Sequence, residues 1–127
     1  MQIDSQTFAS KLPAGVAWEE NFFRFCTFDG LDEEGMHSDS VFLDCEFMRC
    51  EWYWGLFNCA VFVGVKFVDC KFRGTSFASC KFVECEFNRC EFTLDNIGGN
   101  CNFADSRWYA CVKRDTAGLE HVPETAL

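Results

Sequence analysis

Ten cysteines and two histidines in 127 residues bring metal binding, disulfide formation and thiol catalysis into view first. Zinc centres pair their ligands at two- to four-residue gaps and converge four of them on one point. Here the cysteines from Cys45 to Cys90, Cys59 excepted, stand five positions or a multiple of five apart, as in "SCKFVECEFNRCEF" at 79–92, and a phenylalanine or tryptophan follows two positions after each. Rings interleaved in that way would crowd any common metal, so the spacing favours packing over coordination, with no metal and no cofactor expected. Cys59 breaks the pattern, because it follows Phe57 by two instead of preceding a ring; it is the thiol expected to meet solvent. A catalytic dyad needs a base within hydrogen-bond reach of its nucleophile, and nothing in the sequence sets His37 or His121 beside Cys59. The glycine pair in "NIGGN" at 96–100 lacks the surrounding pattern of a phosphate-binding loop and fits a turn or phase break. No catalytic constellation emerges, and a non-enzymatic protein is expected.

What must position these residues is a repeat of five. From Ser40 the chain divides into twelve units centred on Phe42, Phe47, Trp52, Phe57, and so on by fives to Phe92 and Ile97. Two positions before each centre stand Ser40, Cys45, Cys50, Gly55, Ala60, Val65, Cys70, Thr75, Cys80, Cys85, Cys90 and Asp95, all small or apolar except the last. Asn21/Phe23 and Cys26/Phe28 fit the same form before the array; Cys101/Phe103 and Ser106/Trp108 resume it after a one-residue shift. Five is neither the helical period nor the strand period. A large and a small inward residue alternating at two- and three-residue gaps can line a narrow interior, and stacked neighbours must supply the core that one repeat cannot. Burying each ring is worth roughly 1.5–3 kcal/mol. Free cysteine suits the small slot, being among the most buried residue types.

Over roughly residues 21–111 the chain resembles the pentapeptide-repeat family. The resemblance implies an all-β fold, a right-handed quadrilateral β-helix in which one unit forms each side and about twenty residues complete a coil. It also implies that the central residue and the residue two before it point inward. Residues twenty apart would then be vertical neighbours, which puts Glu46, Lys66 and Glu86 in one column, Arg49, Asp69 and Arg89 in a second, and Glu51, Lys71 and Glu91 in a third. All three alternate in sign, as neighbouring strands favour, which supports the coil length independently. Cys50, Cys70 and Cys90 would share a column too, at a spacing a disulfide permits. Residues 1–20 are expected to be a non-repeat N-terminal cap, with a short helix in "SQTFASKL" begun by Ser5 and stopped by Pro13. Residues 29–39 are expected to form an acidic loop, and residues 112–127 a tail.

No run of residues is apolar enough to span a bilayer as a helix, and the N-terminal residues carry no secretory pattern; a cytoplasmic location and reduced thiols are the expectation. The net charge of −9 is concentrated, since residues 1–44 hold nine carboxylates and two cations. Acidity of that order disfavours direct binding of nucleic acid. The outward slots hold an apolar strip, Val41, Leu43, Val61, Val63 and Val83, joined by Met48 and Val68, that either an interface or a folded-back N-terminal segment (Phe8, Leu12, Trp18) would cover. A protein partner is expected at Asp29, Asp32, Glu33, Glu34 and Asp39 in the acidic loop and at Tyr53, Trp54 and Leu56 on the "EWYWG" corner, whose aromatic types dominate binding hot spots. A homodimer is possible on the same grounds. Two kinds of target fit. One is a basic nuclease-type toxin blocked by an immunity or antitoxin protein. The other follows the resemblance to the quinolone-resistance pentapeptide proteins, as a DNA mimic acting on gyrase, although the near-neutral body of this chain departs from their broad acidity.

Overall fold

In the computed structural model, which describes residues 1–124, the chain winds into a four-sided β-solenoid of stacked parallel strands with no helix among the described residues. Side one stacks Gln2–Asp4, Phe22–Arg24, Val41–Leu43, Val61–Val63, Lys81–Val83 and Arg107–Tyr109. Side two stacks Thr7–Ala9, Thr27–Asp29, Glu46–Met48, Lys66–Val68, Glu86–Asn88 and Val112–Arg114. Side three stacks Asp32–Glu34, Glu51–Tyr53, Lys71–Arg73 and Glu91–Thr93, and side four His37–Ser38, Leu56–Asn58 and Ser76–Ala78.

Every strand but the two-residue His37–Ser38 is three residues long, because the chain must turn after each one. The turn falls two residues past the ring, where the backbone enters the left-handed region: φ is 51° at Asp44, 53° at Arg49, 59° at Cys59, 54° at Asp69 and 52° at Glu84. Such φ values cost L-residues energy, and the recovery comes from the interior. Vertical neighbours stack their rings nearly parallel: Phe42–Phe62 at 5.0 Å, Phe47–Phe67 at 5.1 Å, Trp52–Phe72 at 4.7 Å and Phe57–Phe77 at 4.9 Å. The centroid spacing matches the strand spacing of about 4.8 Å, so hydrogen-bonded ladder and aromatic column share one pitch. The in-phase cysteines fill the corners between columns. Cys45, Cys70, Cys80 and Cys90 are buried, and each sulfur lies 3.2–3.4 Å from a carbonyl of the coil below. Burial pushes the Cys45 thiol up to about 12 and Cys80 up to about 11, so these thiols are neutral and weakly nucleophilic.

The twenty-residue register holds from Val41 to Thr93. Lys66 faces Glu46 and Glu86, and Lys71 faces Glu51 and Glu91. These columns do not close into ion pairs; among the described residues the ion pairs are Arg24–Asp4 at 2.9 Å, Arg49–Asp29 at 2.6 Å and Arg89–Asp69 at 2.7 Å. Arg49 thus turns to Asp29, while the Asp69–Arg89 half of the expected column forms.

Several expected boundaries move. Residues 1–20 are not all cap: Gln2–Asp4 and Thr7–Ala9 already pair with the next coil, and the expected helix in "SQTFASKL" is a strand because Phe8 occupies an inward slot and stacks on Phe28 at 5.3 Å. The cap is the crossing segment that follows, where buried Trp18 lies 5.3 Å from Phe28. The acidic segment 29–39 is not a loop. Asp32–Glu34 and His37–Ser38 are strands of a coil one residue short, with Phe23 opposite Phe42 and Ser38 opposite Phe57. Ser38 and Ser40 absorb the missing residue, both donating to the Trp18 carbonyl at 2.7 and 2.5 Å. The array ends at Phe92, because Ile97 is 83% exposed and Phe82 pairs instead with Trp108, a separation of 26. At the far end Val112–Arg114 is a strand, and buried Leu119 and Val122 close the last coil; residues 125–127 of the expected tail lie outside the described residues.

Two measurements check this packing. Phe72→Ala should cost about 3–5 kcal/mol in denaturant unfolding, whereas Lys71→Ala on the same strand should change stability little. Thiol titration of the native protein should label exposed Cys59 first and the buried cysteines only on unfolding.

Candidate protein-binding surface

The corner between sides three and four departs most from the repeat. The turn slot, held elsewhere mostly by Asp, Arg, Gly, Ser, Glu or Cys and once by Phe25, holds Trp54 here, at φ 56°, and a bulky side chain there is uncommon. Three contacts hold it: its amide donates to the Arg73 carbonyl at 3.0 Å, its ring meets Tyr53 edge-on at 4.5 Å, and its indole N–H donates to the Asp95 carboxylate at 2.9 Å. Arg73 lies over the Tyr53 ring at 5.2 Å.

Asp95 organises the other half of the corner. It opens the insertion that lengthens the last coil, and its Oδ1 accepts from the Ile97 amide at 2.9 Å and the Gly99 amide at 2.7 Å. The Asn96 amide donates to the Tyr53 hydroxyl at 2.7 Å. Two of these four hydrogen bonds fasten the 94–100 loop to Tyr53 and Trp54, and the other two close the loop on Asp95. The Gly99 and Trp54 donors hold the Asp95 carboxyl below its ordinary 3.8. The result is an apolar group in solvent on a fixed backbone: Trp54 at 42%, Leu56 at 38%, Leu94 at 51% and Ile97 at 83% exposure.

The expected site residues separate on this scaffold. Tyr53, Trp54 and Leu56 share the corner, with Tyr53 half-buried by its own contacts. The five carboxylates are dispersed. Asp32 and Glu34 face solvent on side three, while Glu33 occupies an inward slot opposite Trp52 and is half-buried. Asp29 is bound to Arg49, and Asp39 accepts from the Glu20 amide at 2.7 Å. Their shared cause is the coil: a strand sends alternate side chains to opposite faces, so consecutive acids cannot form one patch. Leu94, Asp95 and Ile97 were missed as a surface. Their signal was present, since Asp95 is the single charged residue in a slot reserved for small ones. The strip Val41, Leu43, Val61, Val63 and Val83 lies half-buried on side one, and the N-terminal segment does not cover it; Phe8 and Trp18 are spent in the core.

No nucleophile–base pair is built among the described residues. His37 sits on a side-four strand instead of a loop, and His121 packs edge-on to Trp108 at 4.6 Å. No three His, Cys, Asp or Glu residues are grouped to hold a metal among the described residues.

No family model matches the chain, and no curated protein matches it. Solved structures of QnrB1, a plasmid-mediated fluoroquinolone resistance protein, do. A trypsin-treated form aligns at TM-score 0.43 and 13% identity, over 91% of this chain and 57% of its own length; the full-length form aligns at TM-score 0.32 and 11% identity, over 88% and 72%. The chain therefore spans little more than half of the first of these structures. At this identity the likeness is one of stacked-coil architecture and does not extend to function.

Asp95→Ala should free the loop without unfolding the solenoid, seen as loss of slow exchange at the Ile97 and Gly99 amides and a shift in Trp54 emission. Because the Asp95 pKa is lowered on folding, its hold is complete above the unfolded carboxylate pKa and is lost only as pH falls through the depressed value. Loop signals should therefore not change between pH 7 and 5.

Proposed function

We propose that the protein is a non-enzymatic protein-binding module that engages its partner through the Trp54–Leu56–Leu94–Ile97 corner. One observation carries this reading: the solenoid interrupts its repeat to hold apolar side chains in water on a hydrogen-bonded loop. Holding them in water gains nothing within the chain, and an exposed apolar group on a rigid support is the usual form of a recognition site. Pre-organisation also lowers the ordering cost of binding, and tryptophan is enriched among the residues that dominate such contacts.

Of the two targets the sequence suggests, the toxin inhibitor has lost its premise, because the acidic loop meant to enter a basic cleft is two strands of a coil. A topoisomerase of the gyrase type is the better-supported target. A DNA-like surface requires carboxylates fixed on a rigid frame, and Asp32, Glu34 and Glu51 supply three on adjacent strands of side three. That side adjoins the apolar corner, so both contribute to one interface.

The test is a supercoiling assay of purified gyrase with a fluoroquinolone, joined to a direct binding measurement. The protein should bind gyrase and relieve inhibition. Trp54→Ala and Ile97→Asp should each weaken binding by about 2 kcal/mol, the hot-spot scale, mainly through faster dissociation, with unfolding midpoints unchanged for Ile97→Asp. Absence of gyrase binding would remove the topoisomerase; wild-type binding by both variants would remove the corner.

A further inference from the structure

Side one is the wall whose outward slots are apolar in both columns. The column before the rings holds Phe22, Val41 and Val61, and the column after them holds Leu43, Val63 and Val83. All six keep part of their surface in solvent. On side two the slots before the rings carry Glu46, Lys66 and Glu86, and on side three Glu51, Lys71 and Glu91. The solenoid needs apolar residues only at its inward slots, so folding does not account for two adjacent outward columns of them. A contiguous patch of that kind is the usual mark of an interface.

The charges around the patch carry a symmetry. On the level of Phe22–Arg24, Glu20 stands at the corner before the strand and Arg24 after the ring. On the level of Lys81–Val83 the signs are exchanged: Lys81 stands before the ring and Glu84 at the corner after the strand. Both levels lie equally far from the midpoint between Val41–Leu43 and Val61–Val63. A half-turn about an axis along the strands through that midpoint therefore brings Glu20 to Lys81 of a second copy, and Arg24 to Glu84. It also sets Asp39 and Asp44, which flank Val41–Leu43, against uncharged Cys59 and Gly64. A half-turn about an axis parallel to the solenoid would instead oppose Asp39 to Asp44. Within one chain Lys81 stands directly opposite Arg107, and neither has an ion pair among the described residues. Like charges in that register repel, and an incoming carboxylate offsets the repulsion. Arg24 already binds Asp4, so Glu20 with Lys81 is the pair that gains most.

We propose that side one is the contact of a symmetric dimer, two copies of this chain packed face to face with their solenoid axes antiparallel. Sheets pack about 10 Å apart, which lets Val41 and Leu43 of each copy meet Val61 and Val63 of the other. The same half-turn places Lys81 over the Phe22 ring of the second copy, a favourable cation–aromatic contact, and exposed Tyr109 beside Asp4. Each contact occurs twice, as a two-fold interface requires. The wall is about 24 Å tall and one three-residue strand, about 10 Å, wide. That is the small end of interface sizes, so a dissociation constant of micromolar order is expected. The apolar corner lies between sides three and four and stays free in this dimer, so the proposal does not depend on it.

Sedimentation velocity of the full chain across the micromolar range, at low salt, tests it. A monomer–dimer equilibrium should appear. Val61→Glu, an outward change at the centre of the patch, should leave the protein monomeric with its circular dichroism unchanged. Lys81→Glu should weaken the dimer about tenfold, and adding Glu20→Lys should restore it to within about threefold of the wild type; this pair decides the matter if Val61→Glu fails to fold. Cys59, the exposed thiol at the corner before side one, reads the orientation. The half-turn brings the two copies of Cys59 to the same margin, one coil or about 5 Å apart in height, so a short bismaleimide should join two wild-type chains and fail to join Val61→Glu. Ile97→Asp should leave the dimer unchanged. A monomer at every concentration, a dimer indifferent to Val61→Glu, no rescue by Glu20→Lys, or a dimer that Cys59 does not cross-link would each overturn the proposal.

Discussion

The match between two spacings governs this molecule. Parallel strands stack at about 4.8 Å, and the vertical ring pairs of the central coils lie 4.5–5.1 Å apart with planes within 7° of parallel. A chain that puts one ring on each side of every coil therefore satisfies its backbone hydrogen bonds and its aromatic columns together. The narrow interior leaves room for small side chains beside the rings, which is why the second inward slot takes cysteine, alanine, serine, threonine, glycine or, at Val65, valine. The cost is a left-handed turn at every corner, spread over residues such as Asp44, Arg49 and Glu84 and tolerated because each turn amide still donates to a neighbouring coil.

Such a scaffold is hard to modify from within. A residue added or lost in one coil shifts every column above it unless it is absorbed at once. The chain does this twice. One residue is lost between Ser38 and Phe42, where two serine hydroxyls close the gap on the Trp18 carbonyl. Six extra residues enter between Phe92 and Phe103, and Phe103 still stacks on Phe77 at 5.3 Å. The surplus is expelled as the 94–100 loop, where Asp95 and Tyr53 bind its amides. Side chains on that loop are freed from the inward–outward rule of the strands, which is why exposed apolar groups gather there.

What the sequence disclosed follows from this division. Periodicity reports the columns, so the coil length, the inward cysteines and the charge register at Lys66 and Lys71 were legible in it. Breaks in periodicity report only that the columns are interrupted. The acidic stretch at 29–39 lacks rings at its centres, with Glu33 and Ser38 in those places, and so it read as a loop although backbone pairing carries the coil through it. The opposite error fell at Ile97, which keeps the five-residue count but leaves the core. Phe8 showed the same limit, since one ring flanked by helix-compatible residues carries no period of its own. The corner was half legible: Tyr53, Trp54 and Leu56 stand out by type, while their link to Asp95 spans more than forty residues of sequence and depends on where the surplus is expelled.

The central claim is that an exposed loop is built in advance on a stacked aromatic core. Amide exchange in the free protein, read residue by residue by NMR, tests it most directly. The account predicts that the Asn96 and Gly99 amides exchange far more slowly than an unstructured loop, although Ile97 beside them is solvent-exposed, and that this protection is lost in Tyr53→Phe at Asn96 alone. Exchange at unstructured rates throughout 94–100, with the Phe42 to Phe92 coils still protected, would show the loop to be unformed without a partner and would contradict the account.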